Sequence, residues 1–74
     1  MESQHDYVLC IDNGDWQASL KIRKVYPCLP DDKAAEHKML RVIDESGEDY
    51  LYPESCFVRI ELPQRAARAF MSAA

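Results

Sequence analysis

The sequence predicts a small all-β fold, five short strands closed or nearly closed into a barrel, with one tight turn before the last strand and a C-terminal tail or short helix. Three observations lead there. Runs of β-favouring residues recur at short spacing, each stopped by Gly, Pro, Asn or Asp. The last run alternates cleanly, with Val58, Ile60 and Leu62 on one face and Arg59 and Glu61 on the other. A length of 74 residues leaves room for one core, since a domain this short buries only about 60% of the surface its unfolded chain exposes.

Residues 1–6 are polar and read as a flexible N-terminus ahead of a barrel over 7–62. The first strand is Tyr7-Val8-Leu9-Cys10-Ile11, with Tyr7 expected to stay partly exposed. Asp12-Asn13-Gly14-Asp15 stops it, because Asn and Gly both tolerate positive φ. Trp16 to Leu20 shows no period and reads as loop. The second strand runs over residues 21–29, and Pro27, which lacks an N–H, places it at a sheet edge or on a bulge. Residues 33–38 favour a short helix that Asp31 or Asp32 can cap. Residues 39–44 form the third strand, and Tyr50-Leu51-Tyr52 returns from the Gly47 hairpin as the fourth. Pro53 to Cys56 is one tight turn before the fifth strand, residues 57–62. In the tail, residues 63–74, positions Ala66, Ala69, Phe70 and Ala73 follow helical spacing. Phe70 and Met71 there have three possible places: on the barrel, on a second copy, or in solvent.

Thirteen carboxylates against nine Lys and Arg give a net charge of −4, with 47% hydrophobic and 30% charged residues. That balance argues against a disordered tail or a collagen-like fibre. No apolar run approaches the roughly 18 residues of a membrane span. The N-terminus lacks the basic and apolar regions of a signal peptide, so a cytoplasmic location is expected. Cys10, Cys28 and Cys56 are odd in number and widely spaced, which disfavours a disulfide framework. A zinc site needs paired ligands at short spacing, and these cysteines could join His5 and His37 only through folding. We read each cysteine as a small apolar residue, with no metal and no cofactor. Catalysis is not expected either. His5 and His37 have no nucleophile at a recognisable spacing, Ser19, Ser46 and Ser55 look like turn residues, and two glycines cannot make a phosphate loop.

The segment Tyr50-Leu51-Tyr52-Pro53-Glu54-Ser55-Cys56-Phe57 resembles the closing segment of the Src homology 3 barrel, where a proline opens one 3₁₀ turn between the last two strands. Residues 20–25 look like that family's diverging turn, with Arg23 where glycine is common. The likeness implies a five-stranded Src-homology-3-like barrel with one short 3₁₀ turn after Pro53 and Tyr52 turned inward. Residues 41–53, Arg-Val-Ile-Asp-Glu-Ser-Gly-Glu-Asp-Tyr-Leu-Tyr-Pro, also make the chain similar to a group of small, uncharacterised bacterial proteins. Departures from the Src homology 3 pattern bear on function. Met39, Leu40 or Arg41 stands in place of the ligand-binding tryptophan, and Cys56 in place of a tyrosine, so the aromatic groove for proline-rich peptides is not expected.

Three candidate surfaces remain. Trp16, on a loop beside acidic residues, is either a binding anchor or a lid over an open barrel end. Combined with Tyr50 and the turn at Pro53, it defines a protein-binding surface. Lys21, Arg23 and Lys24, joined by Arg59, form the basic cluster of an otherwise acidic chain and are the alternative, a nucleic-acid interface. Asp44, Glu45, Glu48 and Asp49 surround Gly47; they lack the alternating pattern of a calcium loop and read as a polar hairpin tip, with Asp44 and Asp49 facing across it near Arg41 or Lys38. The expectation is a non-catalytic module that contacts another protein.

Overall fold

The structure, a computed structural model, describes residues 6–72, with side chains through residue 70. The expectations for residues 1–5, for the side chain of Met71 and for Ala73 lie outside the described residues. Strands β1 (Asp6–Cys10), β2 (Val25–Leu29), β3 (Met39–Ile43), β4 (Asp49–Pro53) and β5 (Phe57–Ile60) all form. Helix α1 (Asp32–Glu36) follows β2, a 3₁₀ turn (Glu54–Cys56) joins β4 to β5, and helix α2 (Gln64–Ser72) ends the described chain. Asp31 caps α1, accepting the Ala34 N–H at 3.0 Å.

The strands make one antiparallel sheet in the order β4-β3-β2-β1-β5. It is not closed: β4 and β5 are its two edges. Of the closed and nearly closed forms expected, full closure does not occur: the chain leaves β4 through Pro53, which has no N–H to donate, and turns away in the 3₁₀ segment. The Glu54 N–H bonds back to the Lys38 carbonyl at 2.9 Å. The sheet nevertheless curls over a single core. Tyr52 of β4 and Phe57 of β5 bring their rings to 6.3 Å, and Val8, Leu20 and Val42 are fully buried beneath them. Burial of each such side chain contributes about 1.5–3 kcal/mol. Cys10, Cys28 and Cys56 are free, buried members of this core, and burial pushes their thiols up, away from the reactive thiolate.

The second strand begins at Val25, and it is central, not an edge. Pro27 is accommodated by register. The Cys10 N–H donates to the Lys24 carbonyl at 2.9 Å, so hydrogen-bonded pairs between β1 and β2 recur at alternate positions and Pro27, opposite Tyr7, falls between them. Its missing N–H therefore faces β3, where pairing starts only at Cys28 opposite Val42.

The alternation of β5 is real, but its apolar face is not the core face. Val58 and Ile60 lie opposite Leu9 and Tyr7, whereas Phe57 lies opposite the buried Cys10. Residues paired across strands share a face, so Val58 and Ile60 belong to the outer layer, and Val58 is exposed. Helix α2 covers part of that layer. Phe70 stacks on Tyr7 with ring centroids 5.2 Å apart, and the Tyr7 hydroxyl donates to the Ala67 carbonyl at 3.4 Å. Tyr7 is consequently buried, contrary to expectation. Ala66, Ala67 and Phe70 are the half-buried residues of α2, and Ala69 is exposed.

Ahead of β2 the chain makes a bulge: the Cys10 carbonyl accepts from Arg23 N–H at 2.7 Å while the Cys10 N–H is bonded to Lys24. Two residues thus face one, and Arg23 takes a left-handed conformation, φ +68°. A side chain there costs about 1–2 kcal/mol that glycine avoids. Arg23→Gly is expected to raise stability by about 0.5–1 kcal/mol after the greater unfolded-state freedom of glycine is counted. Thermal melts should show a gain of a few degrees; a lower Tm would mean that the guanidinium makes a contact outweighing the strain.

Candidate functional site

The loop between β1 and β2 is held by its own polar groups. Gly14, at φ +48°, donates its N–H to Asp12 Oδ1 at 3.0 Å, and Asn13 Nδ2 donates to the Leu20 carbonyl at 3.0 Å. The Trp16 N–H donates to the Asn13 carbonyl at 2.7 Å, and the Trp16 carbonyl accepts from Leu20 N–H at 2.8 Å. A Cβ at Gly14 would stand 3.2 Å from Trp16 Cζ3, so the absence of a side chain lets the indole fold over the turn. Leu20 is fully buried and anchors the loop to the core.

The facing wall comes from the β3–β4 hairpin. Asp44 is 6% exposed, and both its carboxylate oxygens are engaged. Oδ1 accepts from Ser46 N–H at 2.9 Å and Ser46 Oγ at 2.6 Å, and Oδ2 accepts from the Tyr52 hydroxyl at 2.6 Å. Burial alone would favour the neutral acid, but the Ser46 and Tyr52 donors outweigh it and hold this carboxyl below the usual range. Burial and the same Asp44 bond push Tyr52 up to about 12. The next residue repeats the device. Glu45 Oε2 accepts from Lys24 Nζ at 2.7 Å and from the Tyr26 hydroxyl at 2.5 Å, which hold Glu45 low. Burial, followed by the Glu45 bond, raises Tyr26. The Tyr26 oxygen also accepts from Lys21 N–H at 2.7 Å, and the Glu45 N–H reaches the Ser19 carbonyl at 3.0 Å. Asp44 therefore ties the hairpin to itself, and Glu45 ties the hairpin to the loop and to β2.

Between loop and hairpin lies an open cavity of about 400 Å³, lined by Trp16, Ser19, Asp44, Ser46, Tyr50, Leu51 and Tyr52. Trp16 meets Tyr52 edge-on, with centroids 5.3 Å apart at 81°, and remains 40% exposed. It thus leans on the core while presenting a ring to solvent. Tyr50 shares the face of Tyr52 on β4, is 50% exposed, and donates its hydroxyl to Glu48 Oε1 at 3.0 Å.

Of the residues expected to act, Trp16 and Tyr50 come together. Pro53 does not join them; it closes β4 opposite Met39. The basic cluster is engaged internally: Lys24 is bound to Glu45, and Lys21 Nζ donates to the Gln17 carbonyl at 3.1 Å. Arg59 lies on β5 and pairs with Asp6 at 3.2 Å. Arg23 is exposed on the bulge. The hairpin carboxylates also have protein partners. Asp49 pairs with Arg41, which reaches Asp31 as well, at 2.9 and 2.8 Å, while Asp44 turns inward instead of facing Asp49. Among the described residues no group of three or more His, Cys, Asp or Glu is arranged to hold a metal. Sequence reasoning missed Leu51 as a lining residue and Asp44 as a buried group. The available signal for Asp44 was the serine two residues on, the spacing at which an Asp side chain bonds the backbone. No helix among the described residues is long and apolar enough to cross a membrane. No family model, curated protein or solved structure matches the chain.

Removing either half of the Asp44–Tyr52 pair leaves the other underbonded in the core, at about 1–3 kcal/mol. Asp44→Asn and Tyr52→Phe should each lower the urea midpoint, and the double variant should lose at least about 1 kcal/mol less than their sum. Full additivity would show the pair to be uncoupled. At alkaline pH the sign follows from the raised tyrosine. The stability contributed by the neutral Tyr52 hydroxyl is complete below pH 10 and is lost as pH rises through about 12. Unfolding monitored by tyrosinate absorbance should show this limb, and Tyr52→Phe should reduce it, leaving the part that the raised Tyr26 contributes.

Proposed function

We propose that this chain is a non-catalytic protein-interaction module that binds its partner at the cavity between Trp16 and Tyr50. One observation carries the reading. Trp16 and Tyr50 are 40% and 50% exposed, and both border the same concavity. A domain with so little apolar material gains nothing for its own stability by leaving two large rings together in water, whereas aromatic anchors around a pocket are what binding surfaces use. The frame is of the Src homology 3 type, a reading supported by the meander order of the sheet and by the 3₁₀ turn that follows Pro53. Its proline-peptide groove is not part of the proposal. The nucleic-acid alternative draws less support, because Lys24 and Lys21 are engaged within the chain and the net charge is −4.

Affinity capture with the wild-type chain, beside Trp16→Ser and Tyr50→Ser variants of unchanged Tm, tests the proposal. A protein retained by the wild type and lost at least tenfold by both variants, then shown to bind directly as a purified component, is the expected result. Equal retention by all three chains, or capture only of nucleic acid in a salt-dependent manner, would overturn it.

A further inference from the structure

We propose that the Trp16–Tyr50 cavity is an aromatic cage for a methylated ammonium group, presented by a methyl-lysine side chain of the partner protein. This deepens the protein-interaction reading and rests on it. Two exposed rings wall it, Trp16 and Tyr50, 40% and 50% exposed. Tyr52, which meets Trp16 edge-on at 81° and is only 4% exposed, backs the tryptophan from the core. Tyr50, on the same face of β4 as Tyr52, carries the wall outward. A cation in the cavity has both exposed rings to meet, and a ring face attracts a cation through its quadrupole.

Charge selects the same ligand. Asp44 lies in the lining and is held ionised by its hydrogen bonds, and Glu48 stands at the rim on the Tyr50 hydroxyl. No lining residue is Lys or Arg. The nearby cations are directed elsewhere, Lys24 to Glu45 and Arg41 to Asp31 and Asp49. The field in the cavity is therefore negative.

Hydrogen-bond capacity distinguishes between cations. An arginine needs a free carboxylate fork, and a primary ammonium brings three N–H donors that want acceptors. Asp44 has already spent Oδ1 on two donors and Oδ2 on a third. A quaternary methylammonium carries positive charge with no N–H to satisfy, and it requires only rings and field. The cavity, about 400 Å³, lies at the small end of the roughly 300–1,000 Å³ range of ligand pockets, a size for one side chain.

The test uses the single tryptophan as reporter. Trp16 fluorescence is titrated with four probes: an acetylated, amidated Gly-trimethyllysine-Gly peptide, the same peptide with unmodified lysine, its neutral isostere in which carbon replaces the quaternary nitrogen, and choline. The trimethyllysine peptide should bind at least tenfold tighter than the other three. Tyr50→Ala should abolish the difference, and Tyr50→Phe, which keeps the ring, should retain it; because Tyr50 is exposed, neither change disturbs the core. Equal binding of the isostere would show an apolar pocket without cation recognition, and tighter binding of choline would assign the cage to a small molecule. No response to any probe would remove the cage, while the protein-interaction reading would still stand or fall on the capture experiment.

Discussion

A buried carboxylate is the constraint on which the rest of this structure depends. Asp44 sits at the end of β3 inside the fold, where an ionised group without partners costs several kcal/mol. It is tolerable only when Ser46 and Tyr52 are both in place. That condition sets the shape of the hairpin: the Asp44 carbonyl accepts from Gly47 N–H at 2.9 Å, and Gly47 adopts φ +84°. It also fixes Tyr52, and Tyr52 in turn supplies the surface against which Trp16 leans. Glu45, the next residue, extends the same logic to Tyr26, Lys24 and the backbone of Ser19. In a domain of 74 residues, whose apolar core is thin, such polar ties decide whether a long loop stays on the sheet.

Several charges of this chain are thus paired with one another when it folds. Basic residues at 21–24 and acidic residues at 44–49 look like two opposed surface patches in the sequence. Folded, they meet, with Lys24 on Glu45. What is left facing outward around the cavity is aromatic, namely Trp16 and Tyr50. Architecture and candidate surface are thus two sides of one element, since the pair that buries Asp44 also places the rings.

Local signals in the sequence carried the elements well. Gly14 and Gly47 take positive φ in the expected turns, Asp31 caps α1, and a tight turn follows Pro53. The family likeness placed Tyr52 inward, as found. Long-range packing was not legible. Tyr7 is buried because Phe70, 63 positions away, lies on it, and Val58 faces outward because β5 enters the sheet through buried Cys56 and Phe57. Pro27 in a central strand depends on register, which a single strand does not encode. Four carboxylates around a glycine read as a solvated tip, because nothing local says that one of them will be covered by a tyrosine eight residues on.

The most direct test of the central claim is a carboxyl-carbon NMR titration of Asp44 with the Trp16 indole resonance followed in the same samples. A depressed acid contributes stability above its unfolded value, 3.8, and loses it as pH falls through the lower folded value. The Asp44 carboxyl should remain ionised below pH 3.8, and its protonation should coincide with loss of the native Trp16 shift. An Asp44 that titrates at or above 3.8 while Trp16 stays in its native environment would contradict the account.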